Sequence, residues 1–180
     1  LIAGYLSILD LGIGNSIVRY ISANMINGDK EKEQKIVGFF FKAFSCISLF
    51  TLAIGLFISL NVDSMVSSRF TIEQIKNLKI MIIILTINFA IGFIFNTFSA
   101  VIQAYERYFF LKLTNIIRTL LTPIISVGVL IFTDNIVFLT IVLLIVNILI
   151  LLTHYIYYKM YLKIKFSFKP LEMRDRKSVV

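Results

Sequence analysis

The sequence predicts an all-α, polytopic membrane bundle, and three observations lead there. Mean hydropathy is +0.90. Only 16% of the 180 residues are charged, against about a quarter in a soluble domain. Those charges collect in short patches between five apolar runs, each long enough to cross a bilayer.

The runs lie at about 1–26, 36–60, 80–101, 110–132 and 136–158. At a rise of about 1.5 Å per residue, some 20–25 residues span a hydrocarbon core of about 30 Å. A helix satisfies its own backbone hydrogen bonds, and barrel strands would alternate over about 10 residues, so helices are the expected form. The connections are short. Asn27–Lys35 reads as a charged turn. The longest loop, Asn61–Lys79, carries Thr71 and Gln74 at capping-box spacing, so a helical turn should lead into the third span. Gln103–Phe109 is short and polar. Thr133, Asp134 and Asn135 make a tight turn, so the last two helices should form an antiparallel hairpin.

Residues 1–170 therefore read as one partial transmembrane bundle, already inside an apolar segment at Leu1 and followed by a tail at 171–180. Within that tail, residues 175–180 resemble translated adapter DNA, and no fold is expected of them. Counting Lys and Arg orients the bundle. Lys30, Lys32, Lys35, Arg107, Lys112, Lys159, Lys163, Lys165 and Lys169 fall on one side, and Arg69, Lys76 and Lys79 on the other. Nine against three places loops 27–35 and 103–109 and the C-terminal segment in the cytoplasm. The net charge of +8 flanks apolar spans, which suits anionic lipid headgroups and not nucleic acid. Cys46, the single cysteine, is expected as a small buried hydrophobe.

Polar residues inside spans should face neighbouring helices or water. In the third span Asn88, Gly92, Asn96 and Gln103 share one face, with Ser99 beside them. In the fourth, Lys112, Asn115, Arg118, Thr119, Thr122 and Ser126 form a similar stripe, and Pro123 should bend the helix. In the fifth, Thr140, Asn147 and His154 recur every seventh residue. Three stripes on adjacent helices predict a shared hydrophilic interior; interhelical hydrogen bonding, at about 0.6 kcal/mol per contact, is the simpler alternative. Asp10 lies at depth in the first span and needs a partner or solvent. Arg19 sits on another face, with Asn15, Ser16 and Ser22. Lys42 and Lys35 share a face, as snorkelling lysines would. Ser48, Thr51, Gly55 and Ser59 form a small-residue stripe suited to close helix contact. His154, without acidic or Cys neighbours in sequence, reads as neither ligand nor base. No nucleophile–base spacing, metal-ligand cluster or cofactor motif is visible, so neither an enzyme nor a metal or cofactor is expected.

The stretch Ile8-Leu9-Asp10-Leu11-Gly12-Ile13-Gly14-Asn15-Ser16-Ile17-Val18-Arg19-Tyr20-Ile21, followed by Gly28-Asp29, resembles the second-helix signature of the polysaccharide biosynthesis membrane proteins. These are the O-antigen and capsule flippases of the multidrug/oligosaccharidyl-lipid/polysaccharide exporter superfamily. Gln103-Ala104-Tyr105-Glu106-Arg107-Tyr108, followed by Asn115-Ile116-Ile117-Arg118, is similar to that family's passage between its fourth and fifth helices. The resemblance implies most of an N-terminal six-helix half of a two-bundle transporter in the bacterial inner membrane. It implies translocation of undecaprenyl-diphosphate-linked oligosaccharides for O-antigen, capsule or exopolysaccharide synthesis, beside the glycan polymerase and glycosyltransferases of the pathway. On that reading Arg19, Arg118, Lys42 and Arg107 are candidate diphosphate contacts. Asn88, Asn96, Asn115 and Asn147 would meet sugar hydroxyls, and Asp10 would serve coupling or gating. A cation-coupled drug antiporter of the same superfamily shares the topology. A membrane-embedded glycan polymerase or acyltransferase would need a catalytic cluster in a large loop.

Overall fold

The computed structural model describes residues 2–66, 70–164 and 167, with the side chains from Gly14 onward, Asn27 excepted. It is all-α, with no strand among the described residues. The helices are α1 (Ile2–Asn27), α2 (Lys30–Leu60), a single turn α3 (Val62–Met65), α4 (Ile72–Ala104), α5 (Tyr108–Phe132) and α6 (Ile136–Tyr157). A π-helical turn, Tyr158–Leu162, closes α6. Helices α2, α4, α5 and the α6 run to Leu162 are long and apolar enough to cross a membrane. Helix α1 forms over the first apolar run, but the side chains of its first half lie outside the described residues, Asp10 among them.

The helices overrun the apolar runs because their charged ends continue the backbone spiral. Most of the expected first loop is the first turn of α2. Gly28 turns the chain with φ +66°, donating its N–H to the carbonyls of Asn24 and Met25 at 3.1 and 3.2 Å. A left-handed residue after a helix is a glycine's position, because a Cβ there is strained. Asp29 then caps α2 by accepting from the Lys32 N–H at 3.0 Å, and Glu31 and Glu33 complement the positive helix start. The expected capping box opens α4 eight residues before its apolar run. Thr71 Oγ1 accepts from Gln74 N–H at 3.3 Å, and Gln74 Oε1 accepts from Thr71 N–H at 2.9 Å. Asn135 caps α6 through the N–H groups of Val137 and Phe138.

Helix α4 is the hub and packs against α1, α2, α5 and α6. Its contact with α2 uses the small-residue stripe. Ser48, Gly55 and Ser59 are buried, and a Cβ on Gly55 would fall 2.0 Å from Thr86 Oγ1. Apolar packing concentrates where α1 and α4 end and α2 begins. Ile17 and Ile21, Val37 and Phe44, and Phe98 and Val101 form that core with Tyr158. The same end is tied by Tyr105 Oη donating to Glu33 Oε1 at 2.5 Å, and by Ser22 Oγ donating to the Ala104 carbonyl at 3.4 Å. The chain beyond α6 folds back there, with Ser167 N–H on the Gln34 carbonyl and Tyr158 Oη on the Ile164 carbonyl.

Elsewhere the surface is apolar. Phe57, Leu60, Ile124, Ile131 and Phe132 are each more than half exposed, a distribution that water disfavours and a bilayer accepts. Cys46 corrects one expectation, because its side chain is exposed on α2 and not buried. Helix α5 runs unbroken through Pro123.

Candidate functional site: a polar cleft between α1, α4, α5 and α6

The polar stripes of three helices line one cleft of about 640 Å³. Helix α4 contributes Asn88, Gly92, Asn96, Ser99 and Gln103, which recur at three- and four-residue spacing and so stand on one face. Helix α5 adds Asn115 and Arg118, α6 adds Asn147 and His154, and α1 adds Gly14 and Asn15. Gly14 faces Asn96, and a Cβ there would meet its Nδ2 at 3.7 Å, an ordinary contact.

The cleft has an order along its depth. At one end His154, which is buried, bridges two helices. Its Nδ1 lies 2.9 Å from Ser99 Oγ on α4, and its Nε2 lies 2.9 Å from Thr114 Oγ1 on α5. Antiparallel α5 and α6 are thereby set in register. Arg118, four residues beyond Thr114, lies about 6 Å deeper, and Asn147, seven residues before His154, about 10 Å deeper. Asn147 Nδ2 donates to Asn88 Oδ1 across α6 and α4. Among the described residues Asn147 Oδ1 has no hydrogen-bond partner, although Asn147 is only 7% exposed. A buried amide oxygen without a donor costs about 1–3 kcal/mol.

Arg118 is the charged member. It stands ten residues into α5, about 15 Å from the helix start, within an apolar span. Its side chain is exposed on the cleft wall, which has no Asp or Glu among the described residues. A guanidinium at that depth needs water or an anion. The described wall offers amides and hydroxyls around this one cation, so it is rich in hydrogen-bonding groups.

Among the sequence candidates, Asn88, Asn96, Asn115, Asn147 and Arg118 come together here. Arg19, Lys42 and Arg107 do not. Arg19 is exposed one turn beyond Asn15 on α1, Lys42 is exposed on α2, which forms no part of the cleft, and Arg107 is the exposed residue preceding α5. The fourth-span stripe also divides. Thr119, Thr122 and Ser126 donate to the carbonyls of Asn115, Arg118 and Thr122 on their own helix, at 2.7–2.8 Å. Lys112 is exposed outside the cleft wall, and Thr140 donates to the Ile136 carbonyl. His154 is the residue that sequence reasoning set aside; its heptad spacing from Asn147 was the available signal. Among the described residues no group of three His, Cys, Asp or Glu is placed to hold a metal ion. Comparison with protein-family models, curated proteins and solved structures found no match for this chain.

Proposed function

We propose that this chain is part of a membrane transporter that carries diphosphate-linked, lipid-anchored oligosaccharides across the bacterial inner membrane for cell-surface polysaccharide assembly. The carrying observation is Arg118. It faces a cleft with no carboxylate among the described residues of its wall, and amides line that cleft on four helices. A diphosphate bridge needs a cationic partner inside the membrane, and Arg provides a planar fork for phosphate oxygens. Sugar hydroxyls both donate and accept, which matches the Asn88–Asn147 pair, Asn96, Asn115 and Gln103. The apolar outer faces of α5 and α6 give a prenyl tail a place in the bilayer. The resemblance carried by Ile8–Ile21 and by Gln103–Arg118 supports the same reading, and with it the cytoplasmic placement of loops 27–35 and 103–109. Asp10 stands as the coupling or gating candidate on that resemblance.

The test is complementation of a flippase-deficient strain with the complete reading frame. Arg118→Gln should lower surface polysaccharide on the order of ten- to a hundredfold. That is the affinity equivalent of the about 1.5–3 kcal/mol carried by a hydrogen bond to a charged group. Lys42→Gln, outside the cleft, should stay near wild type. Wild-type polysaccharide from the Arg118 variant would refute the proposal. Drug-stimulated proton or sodium flux without dependence on lipid-linked sugar would replace it with the antiporter.

A further inference from the structure

We infer that His154 is a proton-linked positioning residue for the anion that Arg118 faces, acting through the Ser99 hydroxyl; this rests on the anion-carrying reading above. The hydrogen bonds around the ring assign its tautomer. Thr114 Oγ1 lies 3.1 and 3.0 Å from the carbonyls of Phe110 and Leu111, so its hydrogen is committed to the backbone. Its oxygen therefore accepts from His154 Nε2–H. In the neutral ring Nδ1 is then the acceptor, and Ser99 donates to it. When Nδ1 takes a proton from solvent, it becomes a donor at the same 2.9 Å separation. Ser99 Oγ accepts that bond once its hydroxyl turns, and its own hydrogen is released into the cleft. Both charge states are satisfied without moving a heavy atom. Proton uptake thus adds a positive charge to the wall that holds Arg118 and turns one hydroxyl toward the anion.

Apart from Arg118, the described residues around the ring are uncharged. From α5 the charged neighbour is Arg118, and Phe110 meets the ring edge-on; Lys112 is exposed outside the cleft wall. From α4 come Ser99 and Gln103, and from α1 Asn15, all neutral. The tyrosines of the α6 run, Tyr155, Tyr157 and Tyr158, pack on Phe95, Phe98 and Phe110.

These 180 residues hold one histidine, so 15N-histidine labelling of a protein whose histidines outside them are replaced by Gln gives the spectrum of a single residue. The complete chain, purified with a histidine-free tag in lipid nanodiscs, is titrated with citronellyl-diphospho-N-acetylglucosamine. That diphosphate diester keeps its charge across neutral pH, so any linked proton belongs to the protein. At about pH 7.5 the free chain should show the neutral Nε2–H pattern, and saturating probe should convert it to imidazolium. Affinity should rise between about pH 8 and pH 6, by up to about tenfold per pH unit, the limit for one linked proton. His154→Gln should bind with a flat pH profile. Probe that binds while the ring stays neutral would overturn this inference alone. No binding at either pH, or binding unaffected by Arg118→Gln, would overturn the anion-carrying reading and this inference with it. The wild-type spectrum decides the matter even if the Gln variant does not fold.

Discussion

Replacing Gly55 by Ala adds one methyl group at the α2–α4 contact, and its cost can be worked from distances. The new Cβ would stand 2.0 Å from Thr86 Oγ1, 2.2 Å from Cγ2 and 2.6 Å from Cβ. Rotating the Thr86 side chain removes the first two clashes and breaks its hydrogen bond to the Ile82 carbonyl. It cannot remove the third, because the Thr86 Cβ is fixed by the backbone. The helices must part by about 0.8 Å for that 2.6 Å to reach 3.4 Å, the near edge of ordinary contact. A gap of that size forfeits a quarter to a half of each dispersion contact along the seam. Overpacking of this kind costs about 1–3 kcal/mol, and the better helix propensity of Ala returns up to about 1 kcal/mol. Gly55→Ala should therefore destabilise the bundle by on the order of 1–2 kcal/mol. Gly128→Ala is the control, since nothing lies within 4 Å of its added Cβ; it should be neutral or slightly stabilising. Unfolding by SDS in mixed micelles, followed by far-ultraviolet circular dichroism, measures all of these. Thr86→Gly should rescue Gly55→Ala in a double-mutant cycle. Equal behaviour of the two Gly→Ala variants, or no rescue, would refute the close contact.

Two further outcomes follow from the polar contacts. Asn88→Ala and Asn147→Ala should each destabilise the bundle by about 0.6–2 kcal/mol, with the double variant well short of additive, because they share one interhelical bond; fully additive losses in SDS titration would deny that bond. Burial first, and then the hydrogen bond to Glu33 and its charge, hold the Tyr105 phenol well above its ordinary range near pH 10. A raised folded value means stability that is present below about pH 10 and lost as pH rises toward the folded value, since the unfolded chain ionises first. Tyr105→Phe should therefore be less stable than wild type at pH 8 yet lose less on going to about pH 10.5, and parallel losses in thermal melts would contradict this.

The five apolar runs announced the helices, and Thr71 with Gln74 announced a helix start eight residues outside the third run. The first loop is shorter than its polarity suggests, for a physical reason. Lys30–Lys35 is polar enough for a turn, but a helix that leaves the membrane keeps its backbone bonds in water, and Asp29 caps it there. Polar residues marked the faces that avoid lipid, and Asn88, Asn96, Asn115, Arg118 and Asn147 did converge on one cleft. Spacing could not separate a side chain facing that cleft from one satisfied locally, so Thr119, Thr122 and Ser126 looked equivalent to Asn115 until their bonds to their own backbone were visible. Cys46 illustrates a related blindness. Lipid and protein core are both apolar, so a small apolar residue carries no sign of which one it meets. His154 was legible as one of a heptad stripe, but its partners come from two other helices and share no sequence neighbourhood with it.

On the proposed reading a hydrated, anion-accepting cleft runs into an otherwise lipid-facing bundle. Cys46→Ser, with any cysteine outside these 180 residues also replaced by Ser, gives a background on which single cysteines can be placed at Asn96, Asn115 and Ser99, and at Ile124 on the exposed apolar face of α5. Thiolate forms only where water reaches, so a charged methanethiosulfonate reagent applied to native membranes reads hydration site by site. Modification is expected at Asn96, Asn115 and Ser99, with protection there by citronellyl-diphospho-N-acetylglucosamine, and no reaction at Ile124. Cleft cysteines as inert as the one at Ile124 would contradict it.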